Sequence, residues 1–217
     1  MTILGLEFDR GAWFLVATNL FAAGTALYFG LAIGDLLLVY WAHSVLIGFG
    51  TVFRMLRLRR YSVEGTSGWT GVSPEEKLAE MREFAGNFSL FYGVFSVGCL
   101  WIIASHMSPT AIDKAPLAFA ACVAVFALQY GGELVQSMRA DVADEPRIRD
   151  VILLPGATLA SLFIVSMITG AAMKGGGDGP AGLLGLALLT IYKTSADVGV
   201  HCVERDRQKR DRDPYIS

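Results

Sequence analysis

The sequence predicts an all-α fold: an integral membrane bundle of six transmembrane helices, arranged as three helical hairpins in a single domain over residues 1–217. Two observations predict it. The apolar residues are gathered into six stretches of bilayer-crossing length, and lysine and arginine lie almost entirely on one side of those stretches. Composition agrees, with 53% hydrophobic and 18% charged residues and a mean hydropathy of +0.49. A water-soluble chain of this length spreads its apolar residues more evenly.

A helix needs about 20 apolar residues to cross the hydrocarbon core. The stretches that meet this are 12–33, 36–56, 85–105, 115–138, 151–173 and 181–203. Only Gly34 and Asp35 separate the first two, which calls for a tight hairpin there. The fifth and sixth are joined by a glycine-rich turn from Lys174 to Pro180. Glu7, Asp9 and Arg10 precede the first stretch, which is longer than a signal-peptide core, so a retained helix is expected rather than a cleaved signal.

Orientation follows from the basic residues. Arg10, the six between the second and third stretches (Arg54, Arg57, Arg59, Arg60, Lys77, Arg82), Arg139, Arg147 and Arg149, and five in the tail (Arg205, Arg207, Lys209, Arg210, Arg212) share one side. Only Lys114 and Lys174 fall on the other, and Lys193 lies inside the sixth stretch. The basic side is expected to be cytoplasmic in a cell (inner) membrane, with both termini on it. The lipid bilayer is the expected partner, and a net charge of −2 gives no basis for a nucleic-acid partner. Association with a second copy or with another membrane subunit is left open.

Outside the membrane, residues 57–85 are expected to form a cytoplasmic loop followed by a surface helix. Ser73, Pro74 and Glu76 make a capping box with proline at the first helical position, and Leu78, Met81 and Phe84 follow at helical spacing. That pattern predicts a short amphipathic helix on the inner surface leading into the third span. Residues 204–217 form a charged cytoplasmic tail. Cys99, Cys122 and Cys202 fall in or beside apolar stretches and are expected to be buried thiols.

An ionisable group at mid-bilayer costs roughly 2.5–3.5 kcal/mol on insertion scales, so each needs a partner or a purpose. Five qualify: His43, Glu133, Lys193, Asp197 and His201. The last three are spaced four apart on one helix face. Counting from the inner arginines puts His43 and Lys193 near mid-membrane, Glu133 and Asp197 nearer the cytoplasm, and His201 near the interface. Three readings stay open. His43, Glu133, Lys193 and Asp197 form a polar centre that handles a proton or cation, with the carboxylates as charge carriers and Lys193 as switching partner. Alternatively His201, Asp197, Glu133 and His43 hold a divalent metal as cofactor of a membrane-embedded enzyme, a reading to which the Lys193 ammonium is unfavourable. Finally, the charges neutralise one another as an ion-pair lock in a non-catalytic subunit.

Weaker signals complete the list. Gly131 and Gly132 offer a helix break beside Glu133, and Asn19 and Asn87 offer hydrogen bonds between helices. His106 stands alone on the outer side. Tyr40, Tyr130 and Tyr192 each precede a polar cluster in an even-numbered helix, which three similar hairpins would explain, as would chance.

The run Tyr40, Trp41, Ser44, Gly48 in the second helix and Lys193, Thr194, Asp197, His201 in the sixth resemble a family of prokaryotic multi-pass membrane proteins, domain of unknown function 6498. Pro146, Arg147 and Ile148 at the entry to the fifth helix fit as well. The resemblance spans nearly the whole chain and implies the same membrane topology, with no assigned reaction. Family members carry third-helix histidines around a His-Tyr-Gly run, where this chain has Phe91, Tyr92 and Gly93, and Cys99 beyond. If those histidines serve a metal in relatives, part of that site is missing here.

Overall fold

A computed structural model describes residues 2–3, 6–7, 9–58, 73–107, 111–143, 148–173 and 180–212. Two short strands, β1 (Thr2–Ile3) and β2 (Leu6–Glu7), pair antiparallel ahead of the helices. The helices are α1 (Arg10–Tyr28), α2 (Ile33–Arg57), α3 (Pro74–Met107), the single turn α4 (Ala111–Lys114), α5 (Pro116–Ala143), α6 (Ile148–Met173) and α7 (Pro180–Arg212). Four runs are long and apolar enough to cross a membrane: Arg10–Tyr28, Ile33–Arg57, Leu78–Ser105 and Pro116–Arg139. Pro155–Met167 within α6 is a shorter apolar run. Large apolar side chains such as Phe49, Leu90, Phe91, Trp101, Leu117, Leu128 and Ile191 face outward, a surface suited to lipid rather than water.

The first hairpin turns earlier than the sequence suggests. Gly34 and Asp35 are not the connector; they lie in the first turn of α2. Helix α1 stops at Tyr28 because Gly30 adopts φ 61°, which a side chain would resist. Helix α2 then starts at Ile33, and the Asp35 carboxylate accepts the Ala32 N–H at 2.8 Å, capping one of the donors a helix start leaves unpaired. Apolar periodicity does not register such a turn, since Leu31 and Ile33 are as hydrophobic as the helices around them.

The start of α3 combines a local cap with inward packing. The capping box forms, with Ser73 N–H donating to Glu76 and the Glu76 N–H donating to Ser73 Oγ. These bonds hold the Glu76 carboxyl below its ordinary range. The helix it opens leads directly into the third apolar stretch. It runs unbroken to Met107. Its apolar stripe packs inward, with Met81, Ala85 and the partly buried Phe84 and Phe88 against Met55, Leu58 and Val151. That cluster ties the end of α2 to the beginnings of α3 and α6. Gly131 and Gly132 likewise do not interrupt α5, which is continuous around them, and a Cβ at either would meet no atom of the described residues within 4 Å.

Helix α2 is the hub, packing on α3, α5 and α6, while α1 packs chiefly on α7 and α5. Of the hairpins expected from sequence, α6 packs on α7, but α1 touches α2 only lightly and α3 sits against α2 and α6 rather than against α5. Trp41 Nε1–H donates to the Ser96 carbonyl at 2.9 Å across the α2–α3 seam. The Tyr130 hydroxyl donates to the Ile47 carbonyl at 3.1 Å across α2–α5. The main apolar core, including Ala22, Ala26, Leu36, Leu37, Cys99, Ile103, Cys122 and Phe126, fills the end of the bundle away from the arginines. All three cysteines are buried.

Gly48 is required for the α2–α3 seam. A Cβ there would strike the ring of Tyr92, whose hydroxyl is engaged by Ser44 through Oγ at 2.6 Å and the carbonyl at 2.7 Å, so the ring cannot swing aside freely. Gly48→Val is expected to destabilise the protein by about 1–3 kcal/mol. A thermal melt in detergent checks this, and Tyr92→Leu in the same chain should recover part of the loss.

Candidate functional site

The site is built where α1, α2, α5 and α7 meet, in the half of the bundle that carries Arg54, Arg57 and Arg205. Lys193 and Asp197 face inward one turn apart on α7, and the ammonium pairs with Asp197 Oδ1. Both side chains are buried. The second carboxylate oxygen, Oδ2, accepts from Asn19 Nδ2 at 3.1 Å, an α1–α7 bond that also fixes the carboxylate plane. Above the pair, the Lys193 ammonium sits 5.7 Å from the centre of the Tyr40 ring on α2, within cation–π range.

Beside Asn19, Thr18 reaches in the other direction. Its hydroxyl donates to Gln129 Oε1 at 2.7 Å, and Gln129 Nε2 donates to Glu133 Oε1 at 3.3 Å, one turn along α5. Two consecutive residues of α1 therefore orient the two intramembrane carboxylates, Asn19 the one on α7 and Thr18, through Gln129, the one on α5. The carboxylates differ in one respect. Asp197 has a cation at contact distance; Glu133 has none among the described residues.

His43 lies buried on α2, stacked on Phe126 with ring centres 4.4 Å apart and planes 19° apart. Its Nδ1 has no hydrogen-bond partner among the described residues. A small cavity of ≈ 20 Å³ opens between these elements, lined by Leu15, His43, Ile47, Gln129, Tyr130, Glu133, Asp197 and His201. That is room for about one water molecule.

At the end of the bundle nearest the arginines, His201 closes the site. Its Nε2 is 3.0 Å from Asp9 Oδ1, and Arg205 reaches Asp9 Oδ2 at 3.4 Å. Asp9 is also the N-cap of α1, accepting the Ala12 N–H at 2.9 Å. Gly11 leaves the space the His201 ring occupies, since a Cβ there would lie 2.7 Å from it. Partial burial raises the Asp9 carboxyl, but the Ala12 N–H, His201 and Arg205 together outweigh it and hold the group below its ordinary 3.8. The folded form thus binds its proton more weakly than the unfolded chain does. Its contribution is complete above the ordinary carboxylate value and is lost as pH falls through the lower folded value. Between about pH 6 and pH 3 the melting temperature should fall by more in the wild type than in Asp9→Asn, which lacks this proton linkage.

Of the residues singled out from sequence, His43, Glu133, Asp197 and His201 all line the one cavity, and Lys193 flanks it through Asp197. They do not converge as metal ligands: no three of His, Cys, Asp and Glu among the described residues could together hold an ion. Asn19 makes the interhelical bond its chemistry allows, whereas Asn87 is exposed. Tyr40 and Tyr130 face inward, but Tyr192 is 43% exposed, so the third tyrosine of the recurring pattern is not equivalent to the other two. The side chain of His106 lies outside the described residues. Sequence reasoning missed Gln129, Thr18 and Asp9. Gln129 stands four before Glu133, and Asp9 immediately precedes an apolar helix, the positions of a helix-face partner and an N-cap respectively.

A helical bundle whose apolar outer surface suits a bilayer and whose interior carries an ion pair and a further carboxylate defines the class of protein. The chain belongs to the family of unknown function DUF6498, whose model matches residues 7–213. This is the family the Lys193, Asp197 and His201 motif resembles. No curated protein and no solved structure matches the chain.

Proposed function

We propose that the chain is a six-span protein of the cytoplasmic membrane, folded as one domain with both termini inside, whose polar centre handles a proton or small cation in the manner of a transporter. The basic residues at the ends of α2, α5 and α7 and at the start of α1 support that orientation. In α6 and α7 the sequence carries apolar runs, 151–173 and 181–203, that would complete the six spans.

The observation that carries the functional reading is the inequality of the two carboxylates. An ion-pair lock would leave no carboxylate over. Here Asp197 is committed to Lys193 and Asn19, while Glu133 has no counter-ion among the described residues and lines a cavity that His43 and His201 also line. Glu133 is the group that takes up and releases charge. Asp197 and Lys193 are its fixed electrostatic frame, and His201 with Asp9 stands on the cytoplasmic side of the route. Purified protein in liposomes loaded with a pH-sensitive or cation-sensitive dye tests this. An imposed gradient should dissipate faster than in protein-free liposomes; equal rates for protons, sodium and potassium alike would end the transport reading.

A further inference from the structure

We propose that Glu133 and His43 form a proton-binding pair bridged by one water molecule, so that the ion handled at this centre is H⁺ and not a metal cation. The inference rests on the transport reading above and names its substrate. Four observations lead to it.

The cavity of ≈ 20 Å³ has room for about one water molecule. Four of the six lining groups with donor atoms for a metal are already committed: Asp197 to Lys193 and Asn19, His201 to Asp9, Gln129 to Thr18 and Glu133, and Tyr130 to Ile47. Two remain, Glu133 and His43, and no group of three His, Cys, Asp or Glu side chains among the described residues is placed to hold a metal. Finally, His43 is 97% buried, by its 3% relative exposure, with Nδ1 unpartnered, and stacking on Phe126 fixes its ring plane. A buried neutral imidazole has one donor and one acceptor to satisfy, and a water in the cavity it lines supplies them.

The ionisable groups that face His43 are Glu133 and Tyr130 on α5, Lys193, Asp197 and His201 on α7, and Tyr40 on its own helix; α1 contributes only Leu15 to the cavity. Lys193 and Asp197 cancel, so the net charge of the pair is set by one mobile proton. When Glu133 gives that proton to the bridging water, the water passes one of its own to the unprotonated imidazole nitrogen. The products are a carboxylate and an imidazolium, and the reverse step restores the acid and the neutral ring. Beyond His43 the bundle is filled by the apolar core around Leu36, Leu37, Cys99 and Cys122, so the site is reached from the end where His201 and Asp9 lie.

The test is ¹⁵N NMR of full-length protein in nanodiscs with labelled imidazoles. There are three histidines in the chain, and His43→Gln assigns the signal of interest. Over about pH 4–9 the His43 resonances should shift with the titration of a second group, and Glu133→Gln should abolish that shift while leaving the His201 signals in place. Infrared spectra give an independent readout: a protonated carboxyl stretch that is absent in Glu133→Gln and moves in His43→Gln. His43 resonances indifferent to Glu133→Gln, with an unmoved carboxyl stretch, would overturn the pair. Saturable perturbation of His43 by zinc or manganese would overturn the proton assignment and leave cation handling intact. Coupling in the spectra without any ion flux in liposomes would keep the pair and remove the transport reading.

Discussion

Lys193→Ala is expected to be the most destabilising single change in this bundle, by about 3–5 kcal/mol. Removing the ammonium leaves the Asp197 carboxylate buried with Asn19 as its remaining described hydrogen-bond partner, and one neutral amide does not replace a cation. Asp197→Ala should cost a similar amount from the other side, stranding the ammonium beneath the Tyr40 ring. The double variant Lys193→Met, Asp197→Leu removes both charges and fills most of their volume, so it should melt above either single variant. Thermal unfolding in one detergent, followed by helical circular dichroism, reads all three. Single variants that melt with the wild type would show that the pair contributes nothing to the fold.

Glu133→Gln should do the opposite, removing function and sparing structure. The glutamine keeps the shape, and its carbonyl oxygen can still accept from Gln129 Nε2. No cation is stranded, because none is paired with Glu133 among the described residues. The unfolding free energy should stay within about 0.5 kcal/mol of wild type. Proton flux should fall at least tenfold, since an amide does not exchange a proton in the working pH range. Glu133→Asp keeps the acid but draws it back by one methylene, so an intermediate rate is expected. A Glu133→Gln protein that unfolds readily would instead assign the residue to the structural frame.

Much of this organisation was legible in the sequence because bilayer physics is coarse. Four of the six apolar stretches (36–56, 85–105, 151–173 and 181–203) lie wholly within helices, 12–33 and 115–138 overrun a helix end, and Lys193 and Asp197 pair as their spacing predicts. The capping box at Ser73 and Glu76 forms because both of its bonds are local. What escaped depends on three-dimensional neighbours or on backbone conformation. The turn after Tyr28 is set by a positive φ at Gly30 and a side-chain cap from Asp35, in a stretch where hydropathy is featureless. The inward packing of Met81 and Phe84 depends on where α2 and α6 end, which a helical stripe alone does not reveal. Thr18 and Gln129 look like ordinary polar residues until α1 is laid against α5. Tyr192 and Lys193 are adjacent, so a helix that turns one inward must turn the other away, and the recurring tyrosine pattern carries no information about that choice.

The most direct measurement is proton uptake into liposomes containing the purified wild-type chain, driven by an imposed pH gradient and read with an enclosed pH dye. Uptake well above that of protein-free liposomes, unaffected by sodium, potassium or divalent cations and lost in Glu133→Gln, is the predicted result. Uptake equal in wild type and Glu133→Gln would contradict it, because the cavity between Glu133 and His43 would then lie off any route the proton takes.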